Sequence, residues 1–223
     1  MNWAPLLLSL KVAVLAMVLA LVAGTALAVV LDWRRLPGRE LFYSIVVAPM
    51  ILPPTVLGYY LLVALGTESA LGRAWESVTG STIVFSFTGA VIAAAVGSLP
   101  LVVRSVRIGL ESVDPNLKNA ARTLGAGPVR VLFTVVLPLA APAIFAGAML
   151  AFARSLGDYG ITQMVAGQMI DGTETASIHV MNALYGGREE EARNMSIATT
   201  IVGVTLLYAS NVVLHRFSKG VHV

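Results

Sequence analysis

Arg154 and Asp158 stand four residues apart in FARSLGDYG, Phe152 to Gly160, at the end of an apolar run. On a helix that spacing brings both side chains to one face, where a guanidinium and a carboxylate neutralise each other. An ionisable group at membrane depth costs about 2.5–3.5 kcal/mol on insertion scales and is often functional. Two roles stay open for the pair: stabilising a helix end at the interface, or lining a pathway with Ser155 between them. A second candidate is Pro53-Pro54, inside another apolar run. Proline there either kinks a packing helix or frees carbonyls that face a pathway, since irregular backbone at membrane depth is tolerated where it lines a cavity.

Other chemistry is excluded by what the chain lacks. No G-x-x-x-x-G-K-[ST] occurs, so ATP phosphates cannot be cradled in the P-loop manner. No Ser-His-Asp, H-E-x-x-H or G-x-S-x-G arrangement is present, which argues against an intramembrane hydrolase. His179, His215 and His222 are dispersed and there is no cysteine, so no metal site, disulfide or iron–sulfur cluster is assigned. No residue is given a catalytic role. The Glu189–Glu191 run reads as a solvated face, with contact to a docked protein as the lesser reading.

The elements that must position these residues are membrane spans. Of 223 residues 57% are hydrophobic and only 12% charged, half the share of an ordinary globular domain. The net charge of +3 comes from basic residues at the ends of apolar runs, which suits lipid headgroups rather than nucleic acid. A bilayer core of roughly 30 Å takes about 20 helical residues. Apolar runs of that order cover about 6–31, 41–66, 82–103, 131–153 and 195–214. The expected fold is therefore an all-α polytopic membrane protein with five transmembrane helices, in one domain over 1–223. The first run continues through Ala26-Leu27-Ala28 and no basic residue precedes Lys11, so it reads as a retained helix rather than a cleaved signal. Gly89, Ala90, Ala93, Ala94, Ala95, Gly97 and Ser98 crowd the third span and predict close packing on another helix. Thr162 to Ile170 is apolar but too short to cross, and a re-entrant or interfacial piece within 161–186 is left open.

The stretch Pro115–Pro138, PNLKNAARTLGAGPVRVLFTVVLP, is neither apolar enough to span nor plainly a loose loop. Lys118, Arg122 and Arg130 supply charge, and Ala120, Ala121, Leu124, Val129, Leu132 and Phe133 recur at helical spacing. Gly125 and Gly127 with Pro128 interrupt the pattern and predict two short helices meeting at a bend. A connecting loop has little core beneath it, so this apolar side requires a partner protein at the membrane surface. By alternation the side holding loop 104–130 also holds 32–40 and the C-terminus. Arg34, Arg35, Arg39, Arg104, Arg107, Lys118, Arg122, Arg130, Arg216 and Lys219 lie there, against Arg73, Arg188 and Arg193 opposite. The positive-inside bias then puts the hairpin and C-terminus in the cytoplasm and the N-terminus outside. The acidic connection with Asp171, Glu174, Glu189, Glu190 and Glu191 falls outside as well.

Asn119-Ala120-Ala121-Arg122-Thr123-Leu124-Gly125, nine residues, then Val135-Val136-Leu137-Pro138 resembles the EAA loop of ABC importer permeases. That pattern is E-A-A, three residues, G, nine residues, I-x-L-P. Asn119 stands where the family has Glu, which removes a salt bridge through that position. The stretches LLLSLKVA, LPPTVLGY, ARTLGAGPVRV and AFARSLGDYG are similar to molybdate permeases, so the likeness covers most of the chain. The resemblance implies a type I ABC importer permease fold. It also makes Asn119, Ala120, Ala121, Arg122, Leu124, Gly125, Ala126, Leu137 and Pro138 the loop that couples to an ATPase.

Several partners follow from the same likeness: a second copy of the chain, a cytoplasmic ABC ATPase dimer carrying ATP and Mg, and an external binding protein that delivers molybdate or tungstate. No cofactor is expected on this chain itself, and its surroundings are membrane lipid of the bacterial inner membrane. Under this reading Pro53, Pro54, Arg154, Ser155 and Asp158 are the path candidates, with Arg154 attracting a dianionic oxyanion. Sulfate permeases share the loop and are usually longer, which makes a sulfate-type permease the alternative. An ion-gradient-driven transporter is a further rival, although it would normally show internal repeats, and none is visible.

Overall fold

The computed structural model describes residues 2–32, 38–167 and 174–220, with side chains to Val212. Arg34, Arg35, Asp171, the end of the apolar piece at 168–170, and His222 lie outside the described residues. All regular structure among the described residues is helical. Four helices are long and apolar enough to cross a membrane, or five if one sharply bent pair counts as a span.

Helix α1, Ala4–Asp32, matches the first apolar run almost residue for residue. The second run does not form one span. It divides into α2, Arg39–Val47, a single tight turn at Ala48–Met50, and α3, Pro54–Leu65, bent by 108° from the first half. Pro49, Pro53 and Pro54 withhold three amides within six residues, so no continuous helix can bridge the break. At 1.5 Å per residue the twelve residues of α3 reach about 18 Å, too short to cross alone. Helix α4, Ala70–Thr79, follows, capped by Ser69 Oγ accepting from the Gly72 amide at 2.8 Å.

The expected third span begins later and runs deeper than its apolar limits. Helix α5 is Phe87–Glu111, started by Ser86, whose Oγ accepts from Gly89 N at 3.2 Å. Residues 82–86 are irregular, and Phe85 takes a left-handed φ of 55°. At the other end nothing breaks the helix until Asp114-Pro115, so Arg104 and Arg107 sit on its last turns rather than in a loop. Arg107 ties that end to α2. Its guanidinium lies 2.9 Å from Glu111 and 3.5 Å from Glu40, and stacks 4.4 Å from the Tyr43 ring centre.

Helix α6, Pro115–Thr123, is the first arm of the hairpin. The second arm is not a separate short helix as its breakers predict. Helix α7, Pro128–Val131, continues through a π turn at Leu132–Val136 into α8, Leu137–Leu156, so the fourth span begins at the hairpin itself. Pro138 has no amide to return to the Thr134 carbonyl, and a widened turn just before it accommodates that loss. Two short helices then fill the ambiguous region, α9, Gly160–Val165, and α10, Ala176–Tyr185. Helix α11, Glu189–Gly220, opens on three glutamates, which favour the positive end of a helix dipole.

Helices α1, α5 and α8 pack into one core, and α9 is wedged between α3 and α5. Lipid tails are as apolar as side chains, so close van der Waals contact must hold the core together. Small residues allow it. Ala90, Ala93, Ala94 and Ser98 of α5 are all buried, as the crowding in that span predicts. A side chain at Gly24 would meet Val102, and one at Gly109 would meet Ala143. Ser105 Oγ donates to the Ala143 carbonyl at 2.8 Å, which pins α5 to α8 near the hairpin.

Candidate coupling surface and transport path

The Ala-Ala-x-x-x-Gly pattern of the hairpin has a direct structural cause. Asp114 caps α6 at its start, accepting from Asn116 N at 2.8 Å, and Pro115 takes the first helical position. At the other end Gly125 N donates to Arg122 O at 2.9 Å and Ala126 N donates to Ala121 O at 3.1 Å. That pair of bonds is a Schellman ending, and it needs a left-handed residue at Gly125, whose φ is 85°. Ala121 and Ala126, the residues such an ending brings together, both pack on the membrane core beneath. Small side chains at those two positions let α6 lie close to the ends of α5 and α8. Lys118 completes the attachment, its Nζ donating to the Leu110 carbonyl at 3.1 Å. The sequence shows Lys118 only as charge; its use as a cap for α5 follows from a contact that spacing does not reveal.

What remains outward is apolar. Leu117, Ala120 and Leu124 fall at i, i+3 and i+7 on the exposed side of α6, and Leu124 is 89% exposed. Val129 and Phe133 extend this apolar surface onto the start of the fourth span. Asn119 and Arg122 are exposed beside it, while Leu137 is half-buried and Pro138 exposed at the base. The hairpin therefore satisfies its own backbone, packs one side on the bundle and leaves the other side uncovered.

Of the path candidates, Arg154 and Ser155 lie at the far end of the same helix and Asp158 just past it, while Pro53 and Pro54 start α3. From Pro128 to Arg154 the chain rises about 40 Å. Arg154 Nη1 donates to Asp158 Oδ1 at 2.7 Å, the pair that the spacing predicts. Asp158 Oδ2 accepts from Thr162 N at 2.9 Å and from Thr162 Oγ1 at 2.7 Å, which closes the first turn of α9. Pro54 comes into the same neighbourhood: a side chain at Gly160 would sit 2.7 Å from Pro54 Cβ, so the proline break packs on the start of α9. Ser155 turns another way. It is buried against α5, with its Oγ 3.3 Å from Ser98 Oγ and 3.4 Å from the Ala94 carbonyl.

A further cluster has no counterpart in the sequence reading. His179 of α10 lies between two carboxylates, with Nδ1 2.5 Å from Glu174 Oε1 and Nε2 3.0 Å from Glu191 Oε1. The second approach lacks hydrogen-bond alignment, so Nε2 has no hydrogen-bond partner among the described residues. Asn182 also binds Glu174, and Arg188 Nη1 reaches Glu191 Oε2 at 2.7 Å. His179, Arg188 and Glu191 border an open cavity of about 650 Å³ at the start of α11. Separations of 5 and 12 residues match no motif, so only the folding of α10 against α11 assembles them. The described residues contain no cluster of His, Asp and Glu able to hold a metal.

The described residues form a bundle of apolar helices with a self-capped hairpin at one end and a half-buried ion pair toward the other. The fold is that of ABC importer permeases. A chain of the methionine ABC transporter MetNI, solved in inward-facing conformations, superposes with a TM-score of 0.73 at 18% identity, covering 97% of this chain and 99% of that one. The chain belongs to the family of binding-protein-dependent transport system inner membrane components, which it matches over residues 16–223. It is 42% identical over 208 residues to the molybdenum transport system permease protein ModB of Escherichia coli (strain K12), covering 92% of this chain and 91% of that protein. The sulfate transport system permease protein CysT of the same organism is 32% identical over 200 residues, covering 90% and 72%.

Proposed function

We propose that this chain is the membrane permease subunit of an ATP-driven importer that moves molybdate, and by the same chemistry tungstate, into the cell. Two copies enclose the path across a two-fold interface, since four or five spans are too few to form one alone. A separate ATPase dimer receives the hairpins on the cytoplasmic side, and an external binding protein delivers the anion. The N-terminus lies outside and the C-terminus inside. The observation that carries this reading is the uncovered stripe Leu117–Ala120–Leu124 on a hairpin whose backbone is already satisfied. An apolar surface presented by a rigid, self-capped element at the membrane surface fits a socket in another protein. The oxyanion is assigned from likeness to relatives named for molybdenum, which exceeds the likeness to those named for sulfate.

ATP closure of the two motor subunits would displace both hairpins. Lys118 on Leu110 passes that movement to α5, and α7 passes it through the π turn to α8. Both helices then carry it to the level of Arg154 and the Pro54–Gly160 contact. Uptake in cells lacking other importers tests the proposal. Co-expression with the cognate ATPase and binding protein is expected to give ATP-dependent molybdate and tungstate uptake that excess sulfate leaves largely intact. Preferential sulfate uptake would replace molybdate by sulfate, and uptake insensitive to ATP depletion would end the importer reading. The chain has no cysteine, so Thr123→Cys provides a single label site for orientation. It is expected to react with a membrane-impermeant maleimide only after the membrane is opened.

A further inference from the structure

Arg154 brings a full charge to the level of Gly97, since a Cβ at Gly97 would lie 4.0 Å from its Nη2. Gly97 is well inside α5, roughly 15 Å from the Phe87 end at 1.5 Å per residue. A guanidinium has five donor hydrogens. Arg154 directs Nη1 to Asp158, and its Nη2 and Nε have no partner among the described residues. The two members of the pair are also unequally covered: the Asp158 side chain is 2% exposed and that of Arg154 is 34% exposed. Both Asp158 oxygens are engaged, one by Arg154 and the other by the amide and hydroxyl of Thr162.

A partly exposed guanidinium with unused donors at this depth faces water or an anion rather than lipid. We infer that Arg154 is the anion-handling residue of the transport path, and that Asp158 and Thr162 are positioning residues that also make the contact reversible. This inference rests on the importer reading above and adds the group that meets the cargo. When the path is empty the pair is neutral, which limits the cost of holding a guanidinium inside the bundle. A tetrahedral dianion offers several acceptor oxygens and can engage the free Nη2 and Nε edge. Asp158 cannot swing away because Thr162 holds it, so it repels the dianion at close range and keeps the guanidinium aimed. Gly97 makes room for Ile161, whose Cδ1 would lie 2.6 Å from a Cβ there, with Arg154 Nη2 beyond it at 4.0 Å. The resulting contact is weak and exchangeable, which suits a conduction path because tight binding slows exit.

The test uses the whole transporter, with ATPase and binding protein, in proteoliposomes supplied with labelled molybdate. Arg154→Gln is expected to lower maximal uptake about tenfold or more, the loss of a charge-assisted contact. The half-saturating concentration of loaded binding protein should stay unchanged, because docking occurs on the outer surface. Arg154→Lys should recover a substantial part of the rate by keeping the charge. Asp158→Asn should lower maximal uptake with the same unchanged half-saturation.

Wild-type uptake by Arg154→Gln in a stable complex overturns the inference. So does a loss that the lysine variant fails to rescue and that tracks a lowered unfolding temperature, since that marks a structural helix-end pair. If the wild-type complex itself shows no ATP-driven oxyanion uptake, the importer reading fails and this inference with it, which separates that failure from one at Arg154 alone.

Discussion

Leu124→Asp is expected to detach the ATPase from the membrane subunit and to abolish ATP-driven uptake, while leaving the subunit folded. Leu124 is 89% exposed at the end of α6, so it contributes little to the stability of its own chain. In the assembled transporter it would be the most prominent apolar group of the stripe. Removing its burial costs about 1.5–3 kcal/mol, and forcing a carboxylate into an apolar socket adds several kcal/mol more. Together these effects weaken the complex by about a hundredfold or more. Leu124→Ala, which only loses contact, should weaken it by about tenfold. The measurement is co-purification of the ATPase with tagged permease in mild detergent. Val78→Asp supplies the control, because Val78 is 85% exposed but sits on α4, remote from the hairpin in the chain. It should leave ATPase association unchanged. If Leu124→Asp retains the ATPase at the wild-type ratio, the hairpin is not the docking element.

Gly109→Leu should prevent the bundle from closing at all. A Cβ at Gly109 would lie 2.6 Å from Ala143 Cβ and 3.4 Å from both Cβ and the carbonyl of Ala140. The obstacles are backbone and β-carbons, which no rotamer change can move, so α5 and α8 must separate. Overpacking of this kind costs about 1–3 kcal/mol and sometimes more, and here three further side-chain carbons follow the first. Separation would also strain the Ser105–Ala143 bond, at 2.8 Å, and lift Leu110 from beneath Lys118. The unfolding midpoint in detergent should fall by about 5 °C or more, with much of the protein aggregated. Gly109→Ala should cost less, since a single methyl can be met by a small shift. A Gly109→Leu chain that is monodisperse and as stable as wild type would show that the α5–α8 approach is not what holds the core.

The hairpin was legible in the sequence because its shape is set locally. Gly125 must be left-handed for the Ala121–Ala126 ending to form, and Asp114-Pro115 marks the start of α6 by cap chemistry alone. The same local logic placed the break at Pro53-Pro54, although the 108° angle depends on α9 lying against Pro54 through Gly160. Helix ends were less legible. Apolar length predicted that the third span would stop at Val103, but the helix continues through Arg104, which is exposed, and Arg107, whose charge is met by Glu111, Glu40 and the Tyr43 ring. Hydropathy records that a residue is charged and is blind to whether a partner waits for it.

By itself the sequence determined that this chain lives in a membrane, roughly where it crosses, and which segment turns back as a bent, self-capped element between spans. Those properties depend on apolar length and backbone dihedrals, which neighbouring residues settle among themselves. The tertiary structure alone decided that Ser155 turns into the α5 contact, that Lys118 caps α5, and that His179 meets Glu174 and Glu191. It also decided that Arg154 keeps unused donors beside Gly97 while Asp158 is fully engaged. Each of these depends on the distance between side chains on separate elements, and that distance exists only once the small residues of α1, α5 and α8 have let the helices close.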